Sequence, residues 1–147
     1  IMLSKKAKYG LKAMFYLGKH FGKGPVLISD LAEEENIPKK FLELILLELK
    51  KNGLLYSKMG KGGGYSLSKS PEEITVGQVV RILDGPLAPI PCVSKTAYMK
   101  CAECDNEKTC EIRKIMMQVR DASAAILDHT SLMEAPKAIF SVNRKSK

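Results

Sequence analysis

Residues 38–67 read PKKFLELILLELKKNGLLYSKMGKGGGYSL, and the way this stretch divides decides the fold. Leu42, Ile45, Leu46 and Leu49 recur at i, i+3, i+4 and i+7, the spacing of one helix face, until Asn52-Gly53 stops the pattern. Pro38 suits the first helical position, where its missing N–H removes no hydrogen bond. Leu54 to Lys58 then reads as a strand and Tyr65 to Ser68 as its return, with MGKGGG between them as a loop tolerant of positive φ. Glycines beside a lysine also wrap nucleotide phosphates, but such loops need G-x-x-x-x-G-K-[ST] or G-x-G-x-x-G ahead of a helix. Here Gly64 leads into a strand, so the loop is the tip of a hairpin.

Working outward, residues 4–21 place Leu11, Met14, Phe15, Leu17 and Phe21 at helical spacing, and Gly22-Lys23-Gly24-Pro25 breaks the pattern. Val26 to Ile28 is a short apolar stub. Ser29 is expected to cap a brief second helix, Asp30 to Glu35, before Asn36-Ile37 turns the chain into the helix after Pro38. Two helices joined by a short turn have the outline of a helix-turn-helix, an outline also found in proteins that never touch DNA. The hairpin adds a wing. Lys39, Lys40, Phe41, Glu43 and Leu44 then cluster where the helix start would enter a major groove, and Lys58, Lys61 and Gly62 lie where a wing would reach phosphates or a minor groove.

Charge is distributed accordingly. Of the 147 residues, 1–70 carry thirteen lysines against six acidic residues, whereas the remainder carries eleven basic against ten acidic. The first half suits a polyanion, with binding that falls steeply as salt rises, although a solvated lysine surface would look the same in composition. The chain is 45% apolar, enough for one ordinary core. No apolar run approaches the roughly 20 residues that span a bilayer and no secretory signal is evident, so a soluble cytoplasmic protein without a membrane partner is expected.

Val76, Val79, Val80 and Leu83 indicate a fourth helix ending at Asp84-Gly85-Pro86. All four cysteines follow within nineteen residues, Cys92, Cys101, Cys104 and Cys110, spaced C-x8-C-x2-C-x5-C. Three accounts stand open. Disulfides are disfavoured in a reducing compartment unless they serve as a sensor. Structural zinc usually takes two tight pairs, and only Cys101 and Cys104 form one. An iron-sulfur cluster accepts irregular thiolate spacing and a non-cysteine fourth ligand. Beyond Cys110 a long one-sided helix carries Ile112, Ile115, Met116, Val119, Ala122 and Ile126 on one stripe, which asks for a partner, most commonly a second copy about a twofold axis. His20 and His129 fall at helix ends and read as surface or capping residues. No catalytic constellation is present.

With these parts assembled, the chain resembles the Rrf-type family of winged helix-turn-helix transcriptional regulators, which includes IscR, NsrR and CymR. The resemblance covers residues 2–135 and is carried by LSKKAKYGLKAM, by IPKKFLELILLELKKNGLLYSKMGKGGGYSLSKSPEEITVGQVV, by the cysteines and by the helix ending ILDHTSL. It implies a homodimer in which each winged helix reads half of a palindromic double-stranded DNA operator, and a cysteine loop that in many members holds a 2Fe-2S or 4Fe-4S cluster, which can be absent from the isolated protein. Cys92, Cys104 and Cys110 match the family's ligands and Cys101 is an addition, the first choice for a fourth. Arg113 stands where some members have a ligating histidine, and Lys8 near the position of a partner-donated carboxylate. In the wing, Met59 replaces an arginine, and Pro38, Lys40 and Leu44 replace polar readers, so the operator differs.

The expected molecule is mainly α with a small β-hairpin wing: a winged helix-turn-helix domain over 1–84, a cysteine-bearing loop over 85–110, a dimerisation helix over 111–135 and a basic tail over 136–147. Its expected function is transcriptional regulation governed by iron-sulfur, redox or nitric oxide status. A cluster-free, CymR-like repressor controlled by a protein partner or by thiol oxidation is the alternative within regulation. A small redox or iron-sulfur protein using Cys101-x2-Cys104 is the alternative from another class, opposed by the lack of a β-α-β setting around that pair.

Overall fold

The computed structural model describes residues 3–134. Helix α1, Lys5–Lys19, starts where the Ser4 hydroxyl accepts from the Ala7 N–H and buries Ala7, Gly10, Ala13, Met14 and Leu17 along one face. Phe21, read as the last apolar position of this helix, lies beyond it and is exposed. Helix α2, Ile28–Glu34, begins before the expected Asp30, and Ser29 lies inside its first turn while Leu27 holds the cap position. Long-range pairing sets that boundary: Val26 exchanges two backbone hydrogen bonds of 2.8 Å with Tyr65 and the chain enters α2 directly afterwards. Asn36 takes the turn with φ 54°, a conformation asparagine tolerates better than most residues.

Helix α3, Lys39–Lys51, buries Leu42, Ile45, Leu46 and Leu49 completely. It ends in a Schellman motif: Gly53, at φ 83°, donates to the Lys50 carbonyl and Leu54 to the Leu49 carbonyl. Strand β1, Leu55–Lys58, pairs antiparallel with β2, Gly64–Leu67, with Leu55 opposite Leu67 and Lys58 opposite Gly64. Gly64 has φ 138°, and a Cβ there would run into the Val26 carbonyl, so the wing root requires glycine.

Helix α4, Val76–Asp84, opens with a capping box between Thr75 and Gln78, a T-x-x-Q signal that the apolar periodicity alone does not reveal. It packs on α1 and α3. Helix α5, Glu111–Asp128, is shorter than the expected 111–135. It stops because the chain turns back onto the winged domain: the Thr130 carbonyl accepts from Val76 N–H, and the buried Leu132 donates its N–H to the carbonyls of Pro71 and Ile74. His20 and His129 cap α1 and α5, each with its ring Nδ1 near a carbonyl one turn earlier. The expected tail at 136–147 lies outside the described residues. Among those described, no helix is long and apolar enough to cross a membrane.

Candidate DNA-reading face and cysteine cavity

Because α3 spends its leucine stripe on the core, its opposite face is left to solvent. Lys39, Lys40, Glu43 and Leu44 are all exposed there, Leu44 by 66%, and Leu47 continues the face. Phe41 departs from the expected reading cluster. It is half-buried and its ring meets Tyr9 edge-on at 5.5 Å, which anchors α3 to α1 instead of presenting the ring outward. On the wing, Lys58, Met59, Lys61 and Gly62 are exposed. Tyr56, not singled out from sequence, projects beside Lys58 on the same strand face and is also exposed; the strand's alternation was the signal for it.

The lysines divide into two groups. Lys6 pairs with Glu48 at 2.7 Å, Lys12 donates to the Glu35 carbonyl and Lys50 to the Ser57 hydroxyl, so these tie helices and wing together. Among the described residues, no side-chain hydrogen bond or ion pair engages Lys39, Lys40, Lys58 or Lys61. Their charge is available to a polyanion.

The segment from Gly85 to Cys110 is only partly a loop in the physical sense. Leu87, Cys92, Val93 and Ser94 are buried, whereas Lys95 to Glu103 are exposed. Met99 N–H donates to the Pro91 carbonyl and closes the excursion, and Cys110 caps α5, its Sγ accepting from the Arg113 N–H at 3.4 Å. The consequence is a cavity of roughly 600 Å³ bordered by all four cysteines, with Ile90, Pro91, Met99 and Ile112 supplying apolar wall and Arg113 a charged one. Cys92 is buried, Cys104 and Cys110 half-buried and Cys101 exposed, and all four are free thiols. Partial burial, and next the negative charge of Cys110, Cys101 and Glu107 when ionised, push the Cys104 thiol up from its ordinary range.

Four soft thiolates suit zinc or an iron-sulfur centre. Among the described residues, no three metal-ligating side chains are gathered tightly enough to hold a metal ion as they stand. The shared cavity and the absence of such a group are compatible, since a polynuclear centre spans more space than a single ion and the outer loop has few contacts to hold its thiols in place. Arg113 Nε is buried at this wall without a hydrogen-bond partner, a donor that an anionic thiolate-bound group would satisfy. The donor set around this cavity, four cysteine thiols and a buried unpartnered guanidinium nitrogen, is of the kind an iron-sulfur cluster takes.

Helix α5 separates two faces. Inward, Arg120 donates to the Val93 carbonyl at 2.7 Å and Asp128 pairs with Arg81 through two hydrogen bonds. That pairing, foremost through its hydrogen bond, holds the Asp128 carboxyl below the usual carboxylate range. Outward, Ile112, Ile115, Val119, Ala122 and Ile126 are exposed, and no residue of α5 is fully buried. Their 3-4-3-4 spacing is that of a coiled-coil seam. Met116, grouped with them from sequence, is half-buried.

A family profile described as "Rrf2: Iron-dependent Transcriptional regulator" matches residues 3–136. An rrf2-like HTH-type transcriptional regulator of Rhodobacter capsulatus is 39% identical over 134 residues, 89% of each chain. The solved structure of CymR (YrzC), the global cysteine regulator of B. subtilis, superposes with a TM-score of 0.75 at 32% identity, covering 90% of this chain and 93% of that one. T. potens IscR superposes with a TM-score of 0.70 at 27% identity, over 93% and 94% of the two chains.

Proposed function

The chain belongs to the Rrf2 family of transcriptional regulators, and from that premise we propose that it acts as a homodimer whose cysteine cavity holds an iron-sulfur cluster and thereby adjusts its grip on a twofold operator. It is a DNA-binding regulator with a winged helix-turn-helix, not an enzyme. The observation that carries the finer reading is the convergence of all four thiols on one cavity at the start of α5.

Each part then has a physical task. Lys39 and Lys40 bring charge to the start of α3, Glu43 selects bases through its acceptor oxygens, and Leu44 offers an apolar contact of the kind a thymine methyl accepts. Tyr56, Lys58 and Lys61 hold the wing to the backbone, and Gly62 lets it come close. The α5 stripe joins two copies, which sets the distance between two α3 helices and hence the half-site spacing. Cys92, Cys104 and Cys110 would hold the cluster, with Cys101 completing the set; bound there, it supplies a centre that gains or loses electrons and is attacked by oxidants or nitric oxide.

Coupling to DNA runs through contacts of this chain. Cys92 adjoins Val93, whose carbonyl Arg120 grips; α5 is tied by Arg81–Asp128 to α4, and α4 packs on α3. Drawing Cys92 toward Cys104 and Cys110 therefore loads α5 and the placement of both reading helices. Anaerobically prepared protein should show a visible, thiol-labile chromophore with stoichiometric iron and sulfide, lost on replacing Cys92, Cys104 or Cys110. A colourless protein whose exposed Cys101 oxidises instead would replace this reading by a thiol switch controlled by oxidation or a protein partner.

A further inference from the structure

Arg113 lines the cavity bordered by the four cysteines. Its Nε is buried with no hydrogen-bond partner among the described residues. The rest of its surroundings hold it there. Nη1 approaches Met117 Sδ at 3.5 Å, and the Glu107 carboxylate stands 3.8 Å from Nε, near enough to offset charge but too far to accept a hydrogen bond. Glu107 also accepts from the Tyr98 hydroxyl, so the loop and the start of α5 together fix the guanidinium. Lys100 and Glu103 border the same cavity, but both are exposed, and Glu103 already accepts from the Cys101 thiol. A buried charged donor left without a hydrogen-bond acceptor is costly. The four cysteine sulfurs border the same cavity.

Resting on the cluster reading above, we propose that Arg113 Nε–H donates to a sulfur of the bound cluster and sets its reduction potential. Reduction adds one electron, taken from an external low-potential one-electron donor, and adds negative charge to the centre. No bond forms or breaks at Arg113, because a guanidinium does not give up its proton. A fixed positive charge and a hydrogen bond to sulfur both favour the reduced form, so Arg113 raises the potential, and the Glu107 carboxylate opposes it. Arg113 is thus a positioning and tuning residue that ligand spacing does not reveal.

The test uses full-length protein loaded anaerobically with ferrous iron and sulfide and titrated spectroscopically with dithionite and mediators. Arg113→Gln should shift the reduction equilibrium about tenfold toward the oxidised form, roughly 59 mV lower for a one-electron couple. Arg113→Lys, which keeps the charge but not the planar N–H, should recover part of the shift. Glu107→Gln should move the potential upward. Fully loaded Arg113→Gln and Glu107→Gln proteins with the wild-type potential, or with shifts in the same direction, would overturn the assignment while leaving the cluster reading intact. If Arg113→Gln does not load, Glu107→Gln decides alone, and an unshifted or lowered potential rejects the role. Failure of the wild-type protein to take up iron and sulfide overturns the cluster reading itself, and Arg113's role with it.

Discussion

The reading helix and the cysteine segment are built in opposite ways. In α3, four leucine and isoleucine side chains are fully buried and a Schellman motif fixes the end, so Lys39, Lys40, Glu43 and Leu44 stand on a finished scaffold. From Lys95 to Glu103 no side chain is buried, and the segment is held by a few local hydrogen bonds and the Met99–Pro91 closure. Packing fixes α3 in advance, whereas under the proposed function the cysteine segment would gain its tightest restraint from ligation of its thiols. That contrast is what a switch needs, since a ligand biases an equilibrium only between arrangements that differ in how they bind it.

The contrast can be broken most severely at the α5 stripe proposed to join two copies. Val119→Glu places a charge on the α5 seam, where an unpaired buried ion is worth about 3–5 kcal/mol. The variant should sediment as a folded monomer and lose operator affinity in the same step; a dimeric Val119→Glu protein would move the seam elsewhere. Next in size is the packing difference itself. Leu46→Ala, at a fully buried site, should cost about 2–5 kcal/mol in denaturant unfolding, while Met99→Ala, 67% exposed, should stay within about 0.5 kcal/mol. Equal losses would show that the cysteine segment is as firmly packed as α3.

A smaller effect tests the wing. Lys61→Ala should weaken binding to all sequences alike and reduce the slope of log affinity against log salt by about one unit. Wild-type slopes for both Lys58→Ala and Lys61→Ala would remove the wing from the interface. The smallest concerns Arg81 and Asp128, which are more than a third exposed, so the pair is worth at most about 1 kcal/mol. Because the folded Asp128 carboxyl titrates below its usual range, this stability is present above roughly pH 4 and fades as pH falls through the folded value. Arg81→Gln should therefore be destabilised at neutral pH and converge with wild type in acid. A difference that persists unchanged into acid would contradict the pairing.

Much of the winged half was legible because its determinants are local. The leucine spacing, Asn52-Gly53 and the glycine hairpin each specify a shape within a few residues, and each formed as read. The start of α2 was misplaced because the Val26–Tyr65 pairing, thirty-nine positions apart in number, overrode the Ser29 cap signal. The end of α5 was misplaced for the same reason, since Leu132 returns to the core beside Ile74. Phe41 was read outward because helical spacing near the stripe's edge does not specify a ring partner; Tyr9 does. Cysteine spacing marked a candidate centre, but the buried Arg113 Nε on the same wall is a tertiary fact with no motif to announce it.

The most direct measurement is operator affinity at fixed salt, with and without bound cluster, for the wild type and for Cys104→Ala. If the cysteine cavity switches the reader, the two wild-type forms should differ by about 1–3 kcal/mol, roughly 5–150-fold, and Cys104→Ala should bind like the cluster-free protein under both treatments. Equal affinity in all four states would contradict a sensing role, even in a protein that carries the cluster.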